Sequence, residues 1–309
     1  MQEFNITVPT EIADKRLDVF LREFSEENKL GFSRTFLQTL IRGCAVIVDG
    51  QPVIKTNHKV KAGQEIKISL PNKKKQTLDP ENIPLKIVDE DDDLIIIDKP
   101  AGMVVHPAPG NYEHTLVNAL LHRFKKLSDI NPQRPGIVHR LDKDTSGIIV
   151  VAKNNDTHLD LVKQFADHSI KRKYVALVKG KMEFNENIIE MPIGRHPYQR
   201  ENMAVGFTKS TRYAKTYYRT LKRAPFWSLV ELEPYTGRTH QLRVHLAFIG
   251  HPVLGDSKYG QHNEFVRMAL HARYLGFTHP SSRKFVEFAS PMPKEFADFV
   301  KQIKKAPVT

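Results

Sequence analysis

A chain of 309 residues, 40% hydrophobic and 27% charged, has the length of about two ordinary domains and the composition of a folded globular protein, which excludes fibrous and disordered classes. Its 47 Lys+Arg against 35 Asp+Glu give a formal charge of +12, which favours a polyanionic partner. No uncharged apolar run approaches the roughly 18 residues of a membrane span, and the first five residues lack the basic-then-apolar layout of a signal peptide, so a cytoplasmic chain with no membrane contact is expected.

At the N-terminal end, Leu17, Phe20, Leu21 and Phe24 recur at helical spacing, as do Phe36, Leu37, Leu40 and Ile41 behind a capping Ser33. Gly43 is expected to close that second helix. The lone Cys44 can form neither an internal disulfide nor a cysteine zinc site and is expected to fill a small core position. A strand over 45–48 then runs into Asp49-Gly50, a hairpin turn pair, and Ile66, Ile68 and Leu70 alternate as a further strand. Residues 29–75 hold ten Lys/Arg against two acids, Asp49 and Glu65. On the second helix Arg34, Gln38 and Arg42 fall four apart on the face opposite the apolar stripe, a row suited either to solvent or to a phosphate backbone.

Residues 71–84, with Lys73-Lys74-Lys75 and no apolar periodicity, read as a linker between domains at 14–70 and 85–305. Beyond it the pattern predicts strands at 94–98, 147–152, 174–178, 213–221 and 227–232. It predicts helices at 115–124 and 157–166, the latter with Leu159, Val162, Phe165 and Ala166 as its apolar face. The acidic run 89–93 reads as a solvated turn rather than a metal site. No glycine-rich phosphate loop is present, so no nucleotide cofactor is indicated.

Two polar clusters stand out. One is 136–147, with His139-Arg140-Leu141-Asp142 leading into the apolar strand 148–152. The other is 236–245, with Arg238, His240 and Arg243 set among core-like residues. Charges at the start of a buried strand are costly unless paired, so the first cluster is either a capped turn with salt bridges or a site; two such clusters suggest one shared pocket, and if Arg243 faces Asp142 each removes the other's burial cost. Ser146 lacks a nucleophile elbow, and His240, His245 and His251 show no zinc spacing, so hydrogen-bonded or substrate-facing roles are expected for these histidines. Asp142 with Asp144 as a glycosidase pair is a weaker alternative, because residues two apart share a side only on a regular extended chain.

The string 139–147, the Arg172-Lys173-Tyr174 segment and the run 237–243, in that order, resemble the three catalytic motifs of the RluA/RluD family of pseudouridine synthases. Asp98-Lys99-Pro100-Ala101-Gly102, Val105-His106-Pro107, Pro192-Ile193-Gly194-Arg195, Gly250-His251-Pro252, Gly255-Asp256 and Tyr259-Gly260 match as well, and the likeness runs over about 84–293. Residues 16–70 resemble the S-four-type RNA-binding domain that often precedes this catalytic domain. The run 206–216 departs from the commoner family wording, which touches substrate contacts rather than the chemistry.

The resemblance implies an α+β fold: a small N-terminal α/β RNA-binding domain followed by a catalytic domain built on a mixed, mainly antiparallel β-sheet flanked by helices. It implies uridine-to-pseudouridine isomerisation in structured RNA, ribosomal RNA preferred and transfer RNA the alternative, by a monomer without metal or other cofactor. Asp142, Tyr174 and Arg243 are the expected catalytic residues: an attacking carboxylate, a tyrosine against the target base and the carboxylate's basic partner. Arg140, Arg238, His240, Arg34 and Arg42 are the expected RNA contacts, Arg140 taking the space left by the extruded nucleotide. The rival from another class is a non-catalytic RNA-binding or ribosome-assembly factor. A hydrolase reading would predict release of free uracil.

Overall fold

The computed structural model describes residues 2–302, apart from 13, 29, 71–77, 109–110, 200 and 261–264. They fall into two units, one ending at Leu70 and one beginning at Leu78.

In the first unit, strand β1 (Gln2–Thr7) is followed by β2 (Lys15–Arg16), helices α1 (Leu17–Glu27) and α2 (Arg34–Arg42), then β3 (Val46–Val48), β4 (Gln51–Pro52), β5 (Lys59–Val60) and β6 (Glu65–Leu70). Four strands form a sheet ordered β1-β6-β3-β4, and β2 pairs with β5. The helical periodicity is realised: Leu17, Phe20 and Leu21 of α1 and Leu37, Leu40 and Ile41 of α2 are buried against Ile66 and Ile68. Ser33 Oγ accepts from the Phe36 amide at 3.2 Å, the expected cap. Asp49 and Gly50, at φ 47° and 79°, turn β3 into β4 as the sequence predicts.

Gly43 caps α2 as expected, at an ordinary φ of −86°, and the left-handed residue is Cys44 at φ 57°, where the expectation changes. That turn points Cys44 outward, so it is exposed and does not fill the core. β1, unread from the sequence and outside the 14–70 boundary, pairs with β6 along its full length.

Asp18, fully buried at the start of α1, collects Arg16, Arg34 and Gln38. Arg16 Nε lies 3.0 Å from Oδ1, and Arg34 Nη2 and Gln38 Nε2 lie 2.8 and 2.7 Å from Oδ2. Burial opposes the Asp18 charge, but these donors more than offset it and hold its pKa at about 2. The unfolded chain therefore binds the proton first, so this contribution is complete above about pH 4 and is lost as pH falls toward 2. Between pH 5 and 2.5, hydrogen-exchange protection of the α1 and α2 amides in the full chain should fall about tenfold through this group. Asp18→Asn should show lower protection at pH 5 and lack that step. Equal pH profiles for parent and variant would remove Asp18 as the cause.

The second unit runs β7 (Ile87–Glu90), β8 (Leu94–Lys99), α3 (Leu116–Arg123), β9 (Ser146–Ala152), α4 (Asn155–Ala166), β10 (Lys171–Lys179), β11 (Glu186–Glu190), β12 (Ile193–Arg195), β13 (Met203–Val205), β14 (Lys215–Arg223), β15 (Trp227–Pro234), α5 (Gln241–Phe248), β16 (Leu270–Thr278), β17 (Phe285–Ala289) and α6 (Lys294–Gln302). A nine-stranded sheet carries the order β11-β14-β15-β10-β16-β9-β8-β7, with β17 also on β16. Every pairing in it is antiparallel except β16 with β9, so the sheet is mixed and mainly antiparallel. β8 and β9 are apolar on both faces because both are covered. Ile95, Ile97, Ile149 and Val151 pack with α3, while Leu94, Ile96, Ile148 and Val150 pack with Leu161 of α4.

Residues 71–77 of the expected linker lie outside the described residues. Residues 78–84 are not a free tether: Leu78 and Ile83 pack against the α3 core, and Asn118 Nδ2 donates to the Asp79 carbonyl at 2.8 Å. Of the acidic run, Asp89 and Glu90 belong to β7 and 91–93 make the turn. There Asp91 Oδ1 accepts from the Asp93 and Leu94 amides and Oδ2 lies 2.8 Å from His279 Nε2. The expected apolar face of α4 is also corrected. The helix buries Thr157, His158 and Leu161, leaving Leu159 59% and Val162 41% exposed.

Candidate active site

Two strands and a helix bring the site residues together. Asp142 lies on a tight turn before β9, closed by the Thr145 amide donating to the Asp142 carbonyl at 3.2 Å. That turn abuts β16 because Gly147, at φ 115°, has its Cα where a Cβ would stand 2.1 Å from the Ala272 carbonyl oxygen; only glycine permits the parallel contact. Tyr174 stands at the register shift between Lys173 and Tyr174 in β10, an irregularity of the kind that re-aims a side chain. Arg243 is on α5, whose N-cap His240 has a left-handed backbone, φ 55°.

Arg243 Nη1 donates to Asp142 Oδ2 at 3.0 Å, the contact expected from the sequence across 101 residues. The same guanidinium forks onto buried Asp256, Nε to Oδ2 at 2.7 Å and Nη2 to Oδ1 at 2.8 Å. Asp256 Oδ1 also accepts from the Lys258 and Tyr259 amides at 2.9 and 3.1 Å. Burial disfavours the Arg243 cation, but Asp256 and then Asp142 more than offset it, and its pKa is raised. Arg243 is therefore a fixed cation with one face on a structural carboxylate and one tip on Asp142, whose side chain keeps 19% of its surface open.

His240 Nε2 stands 4.0 Å from Asp142 Oδ1, and its Nδ1 meets the Tyr259 hydroxyl at 2.8 Å. Burial lowers the His240 pKa against the opposing pull of Asp142, so the ring is neutral near pH 7. Burial raises the Tyr174 pKa, keeping it a phenol. Arg140, Asp142, Arg172, Tyr174, Arg238, His240 and Arg243 all line one cleft. Arg140 is exposed and has no ion-pair or hydrogen-bond partner for its side chain among the described residues, while Arg238 Nε donates to the Tyr213 carbonyl at 3.0 Å.

Arg34 and Arg42 lie in the other unit. Arg34 is tied to Asp18 through Nε and Nη2 yet 45% exposed, so it is partly structural rather than one of a free row, and Arg42 is exposed. The other histidines take hydrogen-bonded places. His245 lies between Thr216 Oγ1 and the Met191 carbonyl, both at 3.0 Å, and His251 Nδ1 reaches the Lys179 carbonyl at 2.8 Å. Ser146 Oγ meets His271 Nδ1 at 2.9 Å and accepts from Arg267 at 3.1 Å, a buried structural network.

Four supporting residues were not singled out from the sequence. Asp256 and Lys99 appear there only within matching segments, Gln241 within the second polar cluster, and Arg172 beside Tyr174. Lys99 is fully buried, with Nζ donating to the carbonyls of Pro100, Met103 and Lys143 at 2.7, 2.9 and 3.1 Å, which ties the Asp142 turn to residues 100–103. Burial pulls its pKa down to about 7 against the attraction of Asp144 and Asp142. Gln241 Oε1 accepts from Thr236 Oγ1 at 2.6 Å and the Arg238 amide at 3.0 Å, fixing the turn that presents Arg238. Arg172 Nη2 donates to the Pro234 carbonyl at 3.1 Å.

A carboxylate held by a buried guanidinium, in a cleft with an unpaired arginine at its edge, defines a class of site in which one acidic side chain is fixed beside groups that favour a polyanionic ligand. Residues 93–248 match the RNA pseudouridylate synthase family. The chain is 41% identical to an RNA pseudouridine synthase of Bacillus subtilis over 99% of both chains. It is 42% identical to ribosomal large subunit pseudouridine synthase D of Nitrosomonas europaea, covering 98% of this chain and 88% of that one. Among solved structures, human RNA pseudouridylate synthase domain containing 1 superimposes with a TM-score of 0.57 at 26% identity, over 74% of this chain and 97% of that one. The chain belongs to the RluA/RluD family of RNA pseudouridine synthases. No helix among the described residues is long and apolar enough to cross a membrane.

Proposed function

We propose that this enzyme acts as a monomer in the cytoplasm on large-subunit ribosomal RNA, with Asp142 as the attacking carboxylate. The observation that carries the residue assignment is the 3.0 Å contact of Arg243 with Asp142 at the mouth of the cleft. The ribosomal substrate follows from the relatives, several of which are ribosomal large subunit pseudouridine synthases D.

In this reading the target uridine is flipped out of its helix, and Arg140 takes the vacated space while Arg238 and His240 contact the flipped nucleotide. Asp142 forms a covalent bond to the ribose or the base, the bond from C1′ to N1 breaks, and the uracil turns. A bond from C1′ to C5 then forms, the bond to Asp142 breaks and frees its carboxylate, C5 gives up its proton to solvent and N1 takes one up, so the product is an isomer of the substrate. Arg243 holds the Asp142 carboxylate in place. Tyr174, a protonated phenol, fits packing against the base and not proton abstraction. The basic first unit, whose sequence resembles an S-four-type RNA-binding domain, adds backbone contacts through Arg42 and the exposed part of Arg34. Neutral His240 lets Asp142 approach without a competing ion pair.

Pseudouridine mapping of ribosomal and transfer RNA from cells with and without the gene tests the substrate. Loss at one or a few large-subunit uridines is the expected result. Loss confined to transfer RNA would replace the substrate, and an unchanged map would overturn the reading.

A further inference from the structure

The exposed face of α4 borders a groove of about 450 Å³ beside the active-site cleft, within the size range of small-molecule sites. Its floor is apolar: Leu159 and Val162 of α4 and Ile130, which is 42% exposed. Its rim is cationic, with Arg134 and Arg140 exposed and neither side chain paired among the described residues. Arg140 lines this groove and the Asp142 cleft alike, so the two lie side by side.

The inner wall is polar but uncharged. His139 Nε2 accepts from the Val150 amide at 3.1 Å, which requires a neutral ring, and burial beside Arg172 holds its pKa at about 3. His158 is 5% exposed, and its Nδ1 has no hydrogen-bond partner. A buried ring nitrogen of this kind is normally satisfied, and His158 lines the inner wall of the groove although its Nδ1 is closed off from the surface. Apolar side chains exposed on a helix carry no function by themselves, but here they lie between two unpaired guanidinium groups and an unpaired imidazole. That combination fits a flat, partly polar ring attached to a phosphate. A helix that has lost one base to the cleft leaves its neighbours partly unstacked, which supplies such a group at short range.

We propose that this groove is a second base subsite, holding an unstacked nucleotide of the substrate RNA close in sequence to the target uridine. Its base lies on Leu159, Val162 and Ile130, with an edge toward His158, and its phosphate lies between Arg134 and Arg140. The proposal rests on the RNA-modifying reading of the Asp142 cleft and adds a determinant of which uridine is chosen.

The test uses the shortest transcript fragment of large-subunit ribosomal RNA that the parent enzyme modifies, and copies with one abasic nucleotide at each of the three positions on either side of the target. Leu159→Glu places a negative charge on the groove floor at a position exposed enough to leave folding intact. It should lower kcat/KM about tenfold on the intact fragment. On one abasic copy the parent should lose the same factor, and the variant should lose nothing further. Arg134→Ala, read the same way, serves if Leu159→Glu does not fold. Equal kcat/KM for variant and parent, or a variant deficit undiminished on every abasic copy, would overturn the subsite while leaving the enzyme assignment in place. Absence of pseudouridine from the parent on every ribosomal fragment would overturn the substrate reading, and this proposal with it.

Discussion

Asp142→Asn is expected to lower pseudouridine formation by at least about 10⁴-fold while changing RNA affinity by no more than a few fold. The amide has nearly the size of the carboxylate and can still accept from Arg243, so the cleft keeps its shape. Arg243 does not lose its neutralising partner, because Asp256 holds it through two further hydrogen bonds. What disappears is the anion able to form a covalent bond to the substrate. Binding energy comes mainly from phosphate contacts spread over a basic surface, of which one carboxylate is not part. Tritium release from RNA labelled at uracil C5 measures turnover, and filter binding measures affinity. Turnover within tenfold of the parent would end the assignment of Asp142 as nucleophile. A large loss of affinity would mean that the residue organises the binding surface.

The local rules of the sequence carried the first unit well. The Ser33 cap and the Asp49-Gly50 turn are decided within four residues, and both stand as predicted. Arg34 shows where local reading stops. Its spacing from Gln38 and Arg42 describes one face of α2, but Asp18, 16 residues earlier, draws Arg34 and Gln38 onto a buried carboxylate. Helix α4 fails for a different reason. Leu159, Val162, Phe165 and Ala166 make one plausible apolar stripe, but the helix turns Leu161 with polar Thr157 and His158 to the core. The cap by Asn154 and the packing of Leu161 against β8 and β9 decide the rotation, and neither appears in a hydrophobic count.

At the site, the pairing of Asp142 with Arg243 was legible because each is a charge placed where burial would otherwise be costly. The same logic applies to Asp256, yet its sequence context, a glycine before it and a loop after it, resembles any surface turn. Its burial is a product of the fold: Arg267 and Met268 pass directly over Gly255. Lys99 was equally hidden, since its ammonium is satisfied by carbonyls, which every residue has.

Asp256→Ala should therefore be among the most damaging changes outside the residues that touch substrate. It would leave Arg243, 6% exposed, with Asp142 as its sole carboxylate partner and two of its three hydrogen bonds gone. Removing one partner of a buried ion pair costs about 3–5 kcal/mol where the remaining charge is left unpaired, and the contact with Asp142 puts this variant toward the lower end. The amides of Lys258 and Tyr259 would lose their acceptor as well, loosening the turn that carries Tyr259 and, through its hydroxyl, His240. Arg243 would be free to swing, and with it Asp142, so kcat should fall by about 10²-fold or more even in the folded fraction. Asp256→Asn keeps one acceptor oxygen and should lie between parent and Ala on both measures. Urea unfolding followed by Trp227 fluorescence reads stability in the unit that contains the site, and single-turnover kinetics at low temperature reads the chemistry of the folded fraction. Parent-like stability with a large loss of kcat would mean that Asp256 acts on the chemistry alone. Parent-like values on both would show that Asp142 and the surrounding packing hold Arg243 without it.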